Sequence, residues 1–107
     1  MKSKTSEQEF VERARVMKAL AHPDRLKIID ELSRKERCLC ELEPLFTTDK
    51  STLSRHISAL RNAGIVHERR EGVRVHLTLA TPCILDIFDC TMKVIRADAK
   101  RKLGWMR

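Results

Sequence analysis

Between Asp49 and Leu79 the apolar residues change their spacing once, and that change constrains the fold more than anything else in the chain. Leu53, Ile57 and Leu60 recur at i, i+4 and i+7, the mark of one buried helical face. Asp49 is placed to cap this helix, which is predicted to run to about Asn62 with Gly64 as its C-terminal cap. From Ile65 to Leu79 the period becomes two. Val73, Val75, Leu77 and Leu79 alternate with Arg74, His76 and Thr78, as in a half-buried strand. Glu71-Gly72 supplies a turn, so a hairpin is expected, roughly 66–70 against 73–79, with its tip at 69–74.

At about 100° per residue, the face opposite the buried stripe carries Ser51, Arg55, Ser58 and Asn62, with Thr52 at its edge. No Asp or Glu occurs from Lys50 to His67, whereas a merely solvated helix would normally mix acids in. Short polar side chains and an Arg on a helix that fits the major groove are what base edges require. A hairpin tip with Arg69, Arg70 and Arg74 suits phosphates or the minor groove. Ser51, Thr52 and Arg55 are therefore expected to read bases, and Lys50, Arg69, Arg70 and Arg74 to hold phosphates. His56 lies nearer the stripe and is expected either to pack or to touch phosphate.

The flanks read as helices. One runs from Ser6 to about Leu20, with Phe10, Ala14, Met17 and Leu20 on one face and residues 1–6 frayed. A second opens at Pro23 and runs to about Ser33, with Leu26, Ile29 and Leu32 inward. A short third lies near Leu39 to Phe46, where Pro44 disturbs the regular turn. A last helix, opened by Pro82, reaches about Lys102, with Ile84, Leu85, Phe88, Met92 and Ile95 on one side. The prediction is mainly α with a small β-hairpin: a winged helix-turn-helix of about five helices plus a wing, in one domain over 1–107.

A chain of 107 residues with net charge +7 suits a polyanionic partner. Three Phe, one Trp and no Tyr argue against single-strand binding by base stacking. There is no apolar run long enough to span a membrane and no apolar signal core, so a cytoplasmic protein is expected, with its four cysteines reduced. Metal binding or redox sensing is then favoured over structural disulfides. Cys38 and Cys40 stand about a dozen residues before the DNA-like helix, with Lys35 and Arg37 nearby to favour thiolates. On a regular helix their side chains would diverge by about 200°, so gripping one ion requires the helix to unwind or to start differently. Cys83 and Cys90, seven apart, would share a face of the last helix at roughly 10 Å separation, too far for a mutual disulfide.

Together, residues 18–29, Cys38-Leu-Cys-Glu-Leu42, residues 51–66 and Arg70-Glu-Gly-Val-Arg74 resemble the ArsR/SmtB family of metal-responsive winged-helix repressors, over about residues 8–98. The resemblance implies a homodimer built on the first and last helices (7–20 and 82–102), a palindromic double-stranded operator, and release when an effector binds. It implies Cys38 and Cys40 as ligands for a thiophilic ion, As(III) or Sb(III) foremost, with Cd(II), Pb(II) or Zn(II) as further candidates and Cys83 or Cys90 as a third ligand. Arsenic-sensing relatives carry a further cysteine three residues after the second; here that position is Glu43. Zinc-sensing relatives use Asp, His and Glu on the last helix, where this chain has Thr81, Cys83, Val94 and Ala97.

Two other readings compete. A thiol-redox repressor of the same fold would use Cys38 and Cys40 without metal. A metal-carrying chaperone would not need the acid-free helix face. No phosphate loop, Ser-His-Asp grouping or paired carboxylates suggest an enzyme.

Overall fold

The computed structural model describes residues 6–105. The described residues form five α-helices and a small antiparallel sheet: α1 (Glu7–Leu20), α2 (Pro23–Arg34), β1 (Arg37–Cys38), α3 (Leu39–Leu42), α4 (Lys50–Asn62), β2 (Val66–Glu71), β3 (Arg74–Leu79) and α5 (Leu85–Trp105). Short 3₁₀ turns at Glu43–Leu45 and Pro82–Ile84 precede α4 and α5. The strand order is β1-β3-β2. The expected wing is therefore present, extended by a third strand that periodicity missed. Only Arg37 and Cys38 form it, opposite Leu77 and His76.

Local chemistry explains the helix ends. Ser6, expected to fray, instead caps α1 in a reciprocal pair with Glu9; the rest of the expected frayed segment, 1–5, lies outside the described residues. His22 caps α2, with Pro23 in the first turn. Asp49 caps α4 by accepting from the Thr52 amide at 2.7 Å. At the far end Gly64 takes φ +84°, and the Gly64 and Ile65 amides donate to the Arg61 and Leu60 carbonyls at 3.0 Å each. These two hydrogen bonds close the helix and turn the chain into β2. Gly72 (φ +63°) and Val73 form the two-residue hairpin loop between the paired Glu71 and Arg74. The turn thus lies one residue later than expected.

The core is formed by Ile28, Ile29, Leu42, Leu53, Leu60, Val66 and Leu77, each almost fully buried. It clamps α2 and α4 against β3, which fixes the attitude of α4's outer face. Ile28, not Leu26, completes the inward face of α2; Leu26 is exposed. Its neighbours are the apolar stripes of α1 and α5, where Phe10, Met17, Met92 and Ile95 are also exposed in the single chain. Met17, Leu20, Leu26, Phe88, Met92 and Ile95 line one open apolar groove. The third helix is shorter than expected: α3 gives way to the 3₁₀ turn at Glu43, where Pro44 cannot donate an i→i−4 bond. Among the described residues no helix is long and apolar enough to cross a membrane.

Candidate nucleic-acid interface and thiol site

On α4 the structure brings together most of the expected DNA face. Lys50, Ser51 and Arg55 are exposed and Thr52 is half-buried. Ser54, which the stripe argument passed over, is also exposed and extends the same polar surface. The Ser51 hydroxyl donates to Asp49 Oδ1 at 3.0 Å, so it offers lone pairs rather than a proton outward. The Thr52 amide, above all, holds the Asp49 carboxyl below its ordinary range, so the cap stays anionic at neutral pH.

His56 is corrected. It is 7% exposed and packs inward, because its position on α4 adjoins the buried stripe and Arg25 of α2 reaches it: Arg25 Nε donates to His56 Nδ1 at 3.0 Å. A side chain covered in this way is not available to phosphate. Burial first, then the nearby His22 and Arg25, lower its pKa below 6.5. The unfolded chain therefore takes up a proton near pH 6.5 that the folded chain refuses until lower pH. The stability gained from His56 is complete above that value and is lost as pH falls through the depressed folded pKa. Urea midpoints are expected to decline from pH 7.5 toward 5.5, with part of the slope missing in His56→Gln; identical slopes in the two proteins would refute the assignment.

His22, Asp24 and His56 place potential ligand atoms within 4.8 Å of one another. Their hydrogen bonds fit protons better than a metal. Nδ1 of His22 accepts from the Asp24 amide, and Nδ1 of His56 accepts from Arg25, each at 3.0 Å. A neutral imidazole that accepts at one nitrogen carries its proton on the other, so both Nε2 atoms are assigned as N–H. At 4.0 Å the His56 Nε2–Asp24 Oδ2 separation is too long for a hydrogen bond, and the buried Nε2 has no hydrogen-bond partner among the described residues. The trio ties the start of α2 to α4.

The wing is basic but internally paired. Arg69 meets Glu36 at 2.7 Å and Glu71 at 3.5 Å, and Arg70 meets Glu68 at 3.2 Å. Exposed pairs of this kind are worth about 0–1 kcal/mol, so they can yield to phosphate. Arg55 and Arg74 form no ion pair among the described residues and are exposed.

The expectation about the thiols resolves in favour of a displaced helix start. Cys38 ends β1 and serves as N-cap of α3, while Cys40 sits in its first turn. Cys38 is thus off the helix, its Cα 5.1 Å from that of Cys40, and the two sulfurs meet in a disulfide rather than remaining separate thiols as expected. The Cys40 amide donates to Cys38 Sγ at 3.3 Å, and the Cys38 amide to Glu41 Oε1 at 2.8 Å. The sulfurs open onto a recess of about 380 Å³ bounded by Glu43 of the following turn and by Val73, Arg74 and Val75 of the wing. Neither Cys83 nor Cys90 lines it. Cys83 lies in the 3₁₀ turn before α5, so the two do not share a helix face, and both are exposed.

The family model for bacterial regulatory proteins of the arsR family matches residues 22–68, from α2 into β2. The arsenical resistance operon repressor of Staphylococcus xylosus is 31% identical over 86 residues, 80% of this chain and 82% of that protein. A transcriptional repressor SmtB homolog of Synechocystis sp. is 32% identical over 75 residues, 70% of this chain; the chain spans 57% of that relative's length. Among solved structures, Rv0081 of M. tuberculosis superposes with a TM-score of 0.77 at 30% identity, covering 92% of this chain and 99% of that one. The homodimeric winged helix-turn-helix DNA-binding domain Mb0332 of Mycobacterium bovis gives 0.72 at 28% identity, covering 94% and 95%.

Proposed function

We infer, for a chain that belongs to the ArsR family of bacterial transcriptional regulators, a cytoplasmic homodimeric repressor whose grip on operator DNA is released when a thiophilic metal or metalloid ion binds Cys38 and Cys40. Members of this family are DNA-binding regulators, not enzymes. Ser51, Thr52 and Arg55 of α4 contact base edges, with Ser54 beside them; Lys50, Arg69, Arg70 and Arg74 contact phosphates. The exposed apolar groove between α1, α2 and α5 supports self-association through the first and last helices, since burying it in a second copy removes its side chains from water. Mb0332, described as homodimeric, supports self-association as such.

One observation carries the effector reading: the two sulfurs meet in a recess whose far wall is the wing. In the reduced protein an ion replaces two thiol protons, which pass to solvent, and draws Cys38 and Cys40 together. As(III), Sb(III), Cd(II), Pb(II) and Zn(II) are the candidate ions. Cys38 lies in the same ladder as His76, so a shift at the ion moves the strand that carries Arg74. Release requires the ion to bind the low-affinity shape more tightly than the DNA-bound one, typically by 1–3 kcal/mol.

The test is duplex binding by the fully reduced protein with and without each ion, repeated with Cys38→Ser. Wild type is expected to lose about 5- to 150-fold in operator affinity on ion addition, and Cys38→Ser to lose nothing. An unchanged wild type would end the reading. The Cys38–Cys40 pairing also favours a second reading, in which an oxidant accepts two electrons and two protons from the thiols and the disulfide itself is the signal. Peroxide then releases DNA where metal does not.

A further inference from the structure

We propose that Glu43 is the third ligand of the thiol site and that it selects a divalent thiophilic cation over a trivalent metalloid. The proposal rests on the effector reading above and narrows it to a class of ion.

Three observations converge. The Glu43 amide donates to the Leu39 carbonyl, so the backbone is helical from Leu39 to Glu43. Cys40 and Glu43, three residues apart on that turn, therefore lie on one side of it. Second, Glu43 bounds the same recess as both sulfurs. Third, its carboxylate is uncommitted: among the described residues it enters no ion pair and no side-chain hydrogen bond, although it is half-buried. The acids around it are engaged. Glu41 caps Cys38, Glu36 holds Arg69, and Glu31 holds Arg37 at 2.9 Å. A free, partly covered glutamate on the wall of the recess that both cysteines line adds one hard donor to two soft ones.

The donor set decides the ion. Zn(II) and related divalent cations accept thiolate and carboxylate together. A trivalent metalloid bound through sulfur is best satisfied by three thiolates, and the recess supplies two. Charge agrees. Two thiolates and a carboxylate carry three negative charges, of which a divalent ion cancels two. The remaining charge faces Arg74, on the recess wall. A loaded site thus attracts a cation assigned above to DNA phosphate, which gives occupancy a direct electrostatic cost for operator binding.

The experiment titrates the reduced full chain with Cd(II), following sulfur-to-metal charge-transfer absorption, and with Co(II), whose visible bands report the donor set. As(III) is titrated in parallel. Wild type is expected to bind Cd(II) more tightly than As(III). Glu43→Gln, nearly the same in shape, is expected to keep the sulfur-to-metal band, change the Co(II) spectrum and lose more than about tenfold in Cd(II) affinity, since even outer-shell partners are worth 10- to 100-fold. Glu43→Cys is expected to raise As(III) affinity. Urea midpoints of both variants report whether they fold. If Glu43→Gln matches wild type in affinity and Co(II) spectrum, or wild type prefers As(III), Glu43 is not a ligand although the thiol site stands. If wild type shows no sulfur-to-metal band with any ion, the effector reading itself fails.

Discussion

An Arg55→Ala protein is expected to fold normally and to bind its operator about 1–3 kcal/mol more weakly, roughly 5- to 150-fold. The side chain is exposed on α4 and makes no ion pair among the described residues, so its removal leaves nothing buried without a partner. Its guanidinium can offer two parallel N–H donors to the edge of a guanine, a geometry that no alternative base reproduces. The loss should therefore be concentrated at one base pair of each half-site. Competition among duplexes altered one position at a time measures this. Arg74→Ala provides the contrast: a phosphate contact should weaken every duplex alike and flatten the salt dependence by about one unit of slope. Equal losses on operator and random DNA in the Arg55 variant would show that it holds backbone and not sequence.

The larger effect on the fold itself is expected from Leu60→Ala. Leu60 is fully buried, and its carbonyl accepts the Ile65 amide in the bond that closes α4. Truncating a leucine in such a place costs about 2–5 kcal/mol, the spread depending on how far the neighbours collapse into the space. For a domain of this size that corresponds to a fall of about 10 °C or more in Tm. Because the proposed self-association would link stability to concentration, wild type and variant are compared at the same protein concentration. A shift of a degree or two would mean that α4 is not anchored through this residue. DNA binding at low temperature should survive better than stability, since the polar face of α4 is untouched.

The parts of this molecule that could be read from the sequence are those governed by neighbours in the chain. The α4 stripe, its Asp49 cap, the Gly64 exit and the hairpin all follow from spacing and from what single residues can do with φ and hydrogen bonds. What escaped depends on distant partners. β1 is two residues long and exists only because β3 lies beside it; no periodicity fits in two residues. His56 sits at the margin of a helical stripe, and the guanidinium that settles its position arrives from 31 residues away. Leu26 and Ile28 exchanged roles because α2 has apolar residues on two sides, one facing its own core and one facing the groove with α5. The thiol pair was legible as a pair but not as an adjacency. On a continuous helix the sulfurs diverge, and only the break at Cys38, between strand and helix, lets them meet.

The short seam between β1 and β3 has a mechanical consequence. Two residue pairs fasten the segment bearing the sulfurs to a ribbon that continues past His76 to Gly72 and back. The fulcrum lies midway along β3, so a rotation there would carry the tip of the ribbon with it. Under the proposed function, a regrouping of two sulfur atoms would thus be passed through two residue pairs to the arm that would straddle the double helix, with the helical body of the domain as the mount.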